Sequence, residues 1–175
     1  ETLLTTMGLA DVSYILQYSA SHGLPGTEGT VSAHVFMLLE TPMPAPAIKS
    51  WLMEMNLTVF RADITLSRSK NVLHWPLDIT SCQNDRLLFI APPKFIDIKD
   101  PLFKRISYVP KTLDTIPSDR IPEKYLGALK HDAQSLLNAL RKAEGLKPKT
   151  ERTVWVGAIE VSSRPDACTV TGIKQ

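Results

Sequence analysis

Cys82 is the side chain with the plainest chemical potential, because a thiolate becomes a nucleophile when a neighbouring base or cation lowers its pKa. Such chemistry would need a base from His22, His34 or His74 together with oxyanion donors, and Ser81-Cys82-Gln83 carries no local signature of that site. A buried or loop thiol is the simpler reading. The four histidines, His131 included, are scattered, and His74 with Asp78 is the only tight pairing. Zinc requires three or four ligands, so the sequence predicts no metal site and no cofactor. Asp63, Asp78 and Asp85 fall near the ends of expected strands, and nothing joins them into one acid–base site.

The stretch from His22 to Thr30 is the one glycine-rich loop. Phosphate loops run from strand to glycines to helix, because the helix N-terminus supplies the donors and the dipole. Here a helix is expected before the loop and a strand after it, and the Lys-Ser/Thr ending is missing. A flexible connection is the expectation. Trp51, Trp75 and Trp155 have apolar neighbours and read as core residues, not as base-stacking platforms.

What remains is charge. Lys plus Arg number 20 against 18 Asp plus Glu, yet their order is uneven. Residues 1 to 93 hold five basic against eight acidic residues, 94 to 152 hold thirteen against eight, and the last 23 hold two of each. The basic third supplies a candidate surface for phosphates or anionic lipid headgroups: Lys94, Lys99, Lys104, Arg105, Lys124, Lys130, Arg141, Lys142, Lys147, Lys149 and Arg152. Asp97, Asp100, Asp114 and Asp132 weaken its field, and a solvated helix face is the bland alternative. Pro42, Pro44 and Pro46 form a second candidate, a polyproline-II-like segment able to fill an aromatic groove. Its competing role is a linker that ends a strand.

These residues must be positioned by secondary structure. Leu9, Val12, Ile15 and Leu16 have helical spacing, which predicts a helix over Leu9–Ser21 ended by Gly23, Pro25 and Gly26. Thr30–Glu40 reads as a strand stopped by the proline stretch, and Ile48–Met55 as a short helix carrying Trp51. The alternation of Phe60, Ala62, Ile64 and Leu66 predicts a half-solvated strand over Leu57–Leu66. Asn71–Leu77 is expected to be extended, and Arg86–Ala91 a short core strand cut by Pro92-Pro93. Pro101, Pro110 and Pro117 predict an irregular excursion over residues 94 to 120. Leu126, Leu129, Ala133, Leu136, Leu140 and Ala143 line one face of a long helix from Pro122 to Glu144, with Ser118 or Asp119 as the nearby cap and Gly145 and Pro148 as its stop. Thr153–Val161 and Ala167–Ile173 close the chain as two strands.

The expected architecture is therefore α+β, a mostly antiparallel sheet of about five strands with one long amphipathic helix packed on it, forming one domain over residues 1–175. With 175 residues, 43% hydrophobic and 22% charged, the chain is long enough for a real core. The longest apolar run, Val35 to Leu39, is too short to cross a bilayer, and the sequence predicts no transmembrane segment. Two cysteines without disulfide-rich spacing favour a reducing setting, cytoplasmic or virion-associated, while leaving secretion open. Glu1 in place of an initiator methionine points to a processed product or a fragment. Asn56-Leu57-Thr58 matches a glycosylation sequon but reads as structural.

The leading functional expectation is a non-enzymatic structural, assembly or interaction protein, in the physical style of viral matrix or capsid-associated proteins. It would form homo-oligomers and dock its basic surface on a nucleoprotein, a nucleic acid or an anionic membrane. One alternative is a small hydrolase or transferase built from the glycine-rich loop around Gly26, His34 or His74, and Cys82. The other is a nucleic-acid binder without sequence preference.

Overall fold

The computed structural model describes residues 2–83, 90–122 and 125–149, together with the backbone of three strands between 153 and 173. Its elements begin with α1 (Thr2–Thr6), β1 (Tyr14–Tyr18), β2 (Ala33–Phe36), β3 (Leu38–Leu39), α2 (Ala45–Thr58), β4 (Thr65–Leu66) and β5 (Leu73–His74). They continue with β6 (Ile106–Val109), β7 (Thr115–Ile116), α3 (Leu126–Ala143), β8 (Thr153–Val156), β9 (Ile159–Ser163) and β10 (Cys168–Ile173). The α+β class stands. The single sheet does not: the strands form small sheets of two or three members, ordered β2-β1-β6, β10-β9-β8, β3-β7 and β4-β5.

Two compact units result, one from Glu1–Met43 with Asn84–Pro122, the other from Pro44–Gln83 with Glu123–Gln175. In the first, β1 is the central strand, antiparallel to both β2 and β6. The helix predicted over Leu9–Ser21 is replaced by this strand, because pairing along both edges satisfies its backbone and overrides the helical spacing of its leucines. Val12 continues the pattern with a parallel bridge to Leu113. Leu9, Val12, Tyr14, Ile116 and Ile121 are buried. The strand predicted over Thr30–Glu40 is divided at Met37: β2 belongs to the β1 sheet, whereas β3 turns to pair in parallel with β7. Within the excursion expected to be irregular, β6, β7 and a 3-10 turn at Ser118–Arg120 are regular.

In the second unit α2 is longer than predicted. Pro44 stands at its N-cap with extended angles (φ −68°, ψ 144°), and Pro46 lies within the first turn, where a missing N–H costs no helical bond. Pro44 therefore keeps polyproline-like angles, and Pro46 is helical. The strand predicted over Leu57–Leu66 is also absent, since Leu57 and Thr58 finish α2, Arg61–Asp63 make a 3-10 turn, and only Thr65–Leu66 are extended. Of its alternating set only Ile64 is fully buried. Ile64, Leu57, Leu73 and Leu137 form the core, with Leu66, Trp75, Leu129, Ala133, Leu136 and Leu140 packed against it.

The long helix is close to its sequence reading, about 27 Å over 18 residues. Its start differs, since Tyr125 is the N-cap and no side chain caps it. Its end is a Schellman motif: the Gly145 N–H donates to the Lys142 carbonyl at 3.0 Å and the Leu146 N–H to the Arg141 carbonyl at 2.9 Å. Gly145 has φ +72°, a backbone conformation that glycine adopts without strain. Thr153–Val161, expected to be one strand, is two, with β8 antiparallel to β9 and Val156 facing Ile159. Most of the strand predicted at Arg86–Ala91 lies outside the described residues, and Ile90 and Ala91 are not extended in any sheet.

Candidate anionic-surface docking site

Arg105 organises the irregular segment that precedes β6. Its Nε and Nη2 donate to the two oxygens of Asp100 at 2.8 and 2.7 Å, and its Nη1 donates to the Ser19 carbonyl at 2.5 Å. The guanidinium carbon also lies 4.9 Å from the Phe95 ring centroid, a cation–π contact. Only 6% of the Arg105 side chain is exposed. It was expected among the surface cations, and it is instead the buried hub of its segment. The hydrogen bonds from Arg105 hold the Asp100 carboxyl below the usual carboxylate range. Leu102 adds a backbone N–H to Asp100 at 2.9 Å, and the Arg105 carbonyl accepts the Tyr18 N–H.

This hub draws together residues five apart in sequence: Phe95, Asp100 and Arg105. Each is preceded directly by a lysine, so Lys94, Lys99 and Lys104 start one Cα step, about 3.8 Å, from a hub member. All three are exposed, and none has a hydrogen bond or ion pair among the described residues. Hydrophobic side chains interleave with them. Phe103 is fully exposed, and Ile96 and Ile98 are 75% and 54% exposed. Asp97, between the two isoleucines, has φ +62°, so the chain bends sharply there. The apolar members were not singled out from the sequence. Their signal was present: isoleucine and phenylalanine in a stretch too broken by proline to build a sheet or helix have no regular face to bury.

The segment rests on the loop of residues 19–32. Gly23, φ +81°, approaches Pro101 so closely that a Cβ there would lie 3.3 Å from its Cγ. That glycine-rich loop is well tied instead of free. Ser19 donates its Oγ to the Ser32 Oγ at 2.9 Å, Thr27 Oγ1 donates to the Leu24 carbonyl at 2.7 Å, and Tyr18 stacks on His22 at 4.5 Å. It joins two strands, so the helix N-terminus that phosphate binding requires is absent from it.

The other basic candidates belong to the second unit. Arg141 donates to the carbonyls of Lys147 and Lys70 and to Asn71 Oδ1, and Lys149 Nζ donates to the Asn71 carbonyl at 2.9 Å. Both cations pin the turn after β4 to the C-terminal end of α3, where carbonyls and dipole favour positive charge. Lys130, Lys142 and Lys147 are exposed. Lys124 and Arg152 lie outside the described residues.

The nucleophile reading of Cys82 meets the opposite electrostatics from those it needs. The thiol is half-buried, its Sγ donates to the Ile79 carbonyl at 3.3 Å, and burial pushes its pKa up, away from the thiolate. Asp78, the expected companion of His74, accepts the Thr80 N–H and hydroxyl on one carboxylate oxygen at 2.8 and 2.7 Å. No group of three or more His, Cys, Asp or Glu side chains comes together as a metal site among the described residues. A pocket of about 160 Å³ lined by Leu4, Thr5, Ala10, Tyr14 and Lys111 is small beside the several hundred Å³ of ordinary ligand sites. Among the described residues no helix is long and apolar enough to cross a membrane.

Fold and site thus define an α+β chain of two units with a stapled basic and apolar segment on the first. No family model, curated protein or solved structure matches the chain.

Proposed function

We propose that this chain is a non-enzymatic interaction protein that docks on an anionic partner through the Lys94–Arg105 segment. The carrying observation is the hub, which fixes the segment that bears the exposed Lys94, Lys99 and Lys104 while pairing Arg105 with Asp100. Three exposed ammonium groups then face only one unpaired carboxylate of the segment, Asp97, so the local field is cationic although the whole chain is nearly neutral. The half-buried Cys82 thiol, which donates to the Ile79 carbonyl and whose pKa burial raises, speaks against the hydrolase alternative. Replacing Lys94, Lys99 and Lys104 together by glutamine should make the protein elute from a heparin column at clearly lower salt. The same change at Lys130, Lys142 and Lys147 should shift it less. Equal shifts would return the docking role to the whole basic third of the chain.

A second reading, self-association, is favoured by the β2-β1-β6 sheet. Ile15 stands opposite both Phe36 and Tyr108, so these three share a face, and Ile15 and Tyr108 are exposed. A second copy of the chain would cover this row. Light scattering across protein concentration should show reversible growth that Tyr108→Glu abolishes, and a strictly monomeric wild type would remove the reading.

A further inference from the structure

We propose that the anionic partner of the Lys94–Arg105 segment is a lipid bilayer, with Lys94, Lys99 and Lys104 on the headgroups and Ile96, Ile98 and Phe103 entering the boundary with the acyl chains. This rests on the docking reading above and names its partner. The chemistry of the exposed side chains selects the lipid. A nucleic acid would reward aromatic platforms for base stacking and donors for base edges; Phe103 alone of the three could stack, and Ile96 and Ile98 supply neither. A protein groove rewards apolar anchors of fixed shape on rigid elements. Here the three anchors sit on an irregular stretch, joined by the hub and separated by lysines. A fluid interface needs no shape match: it accepts aliphatic and aromatic side chains a few ångströms deep, while adjacent cations meet phosphate and carboxylate headgroups.

The balance of charge agrees. Asp97 is the carboxylate that an anionic surface would repel, and three lysines oppose it, because Asp100 is already neutralised by Arg105. Each lysine near a negative leaflet contributes about fivefold in binding, roughly a hundredfold for three. Each of the three apolar side chains leaving water contributes about tenfold more. Neither set alone gives firm attachment, as with a single lipid anchor that needs a polybasic companion. The hub supplies both on one short segment.

The test uses the full chain with phosphatidylcholine vesicles, with and without phosphatidylserine, and a heparin column in parallel. Wild type should co-sediment with the phosphatidylserine vesicles and only weakly with pure phosphatidylcholine. The combined change Ile96→Ser, Ile98→Ser, Phe103→Ser should lower vesicle affinity at least a hundredfold while leaving heparin elution unchanged. The triple lysine-to-glutamine protein should lose vesicle binding and also elute from heparin at lower salt. Because all six side chains are exposed, unchanged unfolding midpoints are expected and should be measured beside the binding. In addition, Phe103→Trp should gain quenching by brominated lipid beyond that of the native tryptophans. Vesicle binding indifferent to the serine changes, or no added quenching at position 103, would overturn the bilayer proposal. Heparin binding without vesicle binding would overturn it too while sparing the docking reading, and binding to a single-stranded RNA oligonucleotide in that case would make nucleic acid the partner. Failure on both heparin and vesicles would sink both.

Discussion

Replacing Arg105 by methionine should destabilise the first unit and lower its urea midpoint, because it removes a buried guanidinium and leaves Asp100 with only the Leu102 N–H of its protein donors. Methionine matches much of the stem and can still lie on Phe95, so the loss reports the guanidinium and not an empty space. Three acceptors are abandoned, two oxygens of Asp100 and the Ser19 carbonyl. Asp100 keeps a third of its side chain in water, and solvent there limits the loss. Arg105→Lys keeps the charge but loses the two-pronged geometry, and should recover part of the stability at most. Urea unfolding at neutral pH measures each.

Acid supplies a second check on the same pair. The Asp100 pKa is lowered in the folded protein by the Arg105 hydrogen bonds, so below about pH 4 the unfolded chain takes up protons first. The contribution of the pair is complete above the ordinary carboxylate range and disappears as pH falls through the folded value. Asp11, held by two hydrogen bonds from Arg120 at 2.5 and 2.9 Å, is lowered in the same direction and adds to the acid sensitivity of this unit. Wild type should therefore lose its advantage over the methionine variant in strong acid. An advantage that stayed constant down to pH 2 would mean that the ion pair contributes nothing.

Helix α3 was legible from sequence because its signals are local: a repeated apolar spacing and a glycine whose positive φ ends the last turn. Even there the most buried leucine is Leu137, outside the predicted seam, because the core of the second unit meets the helix slightly around its face. The failures share one cause. Tyr14–Tyr18 became a strand because of partners about 20 and 90 residues away, and Leu57–Leu66 became a helix end and a turn because Leu57 and Ile64 both face Leu137. Neither helical spacing nor alternation along a short stretch carries information about such partners. At the site, the excess of lysine was plain in the sequence. The staple that fixes the lysine-bearing segment was not, since it joins residues five apart, a spacing that belongs to neither helix nor strand.

A comparable loss is expected at Asn56, the residue that the sequon marked and that the fold uses otherwise. It is wholly buried on α2, with 0% of its surface exposed. Its Nδ2 donates to the carbonyls of Leu52 and Leu77 at 2.8 and 2.9 Å, and its Oδ1 accepts the Leu77 N–H at 2.9 Å. The amide thus replaces a strand partner for Leu77, in a loop that has none. Asn56→Leu keeps the volume but leaves the part-buried N–H and carbonyl of Leu77 without their partner, at a cost of about 2 kcal/mol. A value near that of an exposed substitution would show that Leu77 finds water instead. Asn56→Asp separates the two halves of the interaction. The carboxylate still accepts from the Leu77 N–H, yet faces the Leu52 and Leu77 carbonyls with no donor, and its charge is buried. At neutral pH it should be more damaging than leucine. Its folded pKa is raised, so the penalty should shrink as pH falls below that value and the protonated acid donates to a carbonyl again. Loss of stability in urea that is identical for the leucine and aspartate variants, and flat with pH, would assign the role of Asn56 to packing alone.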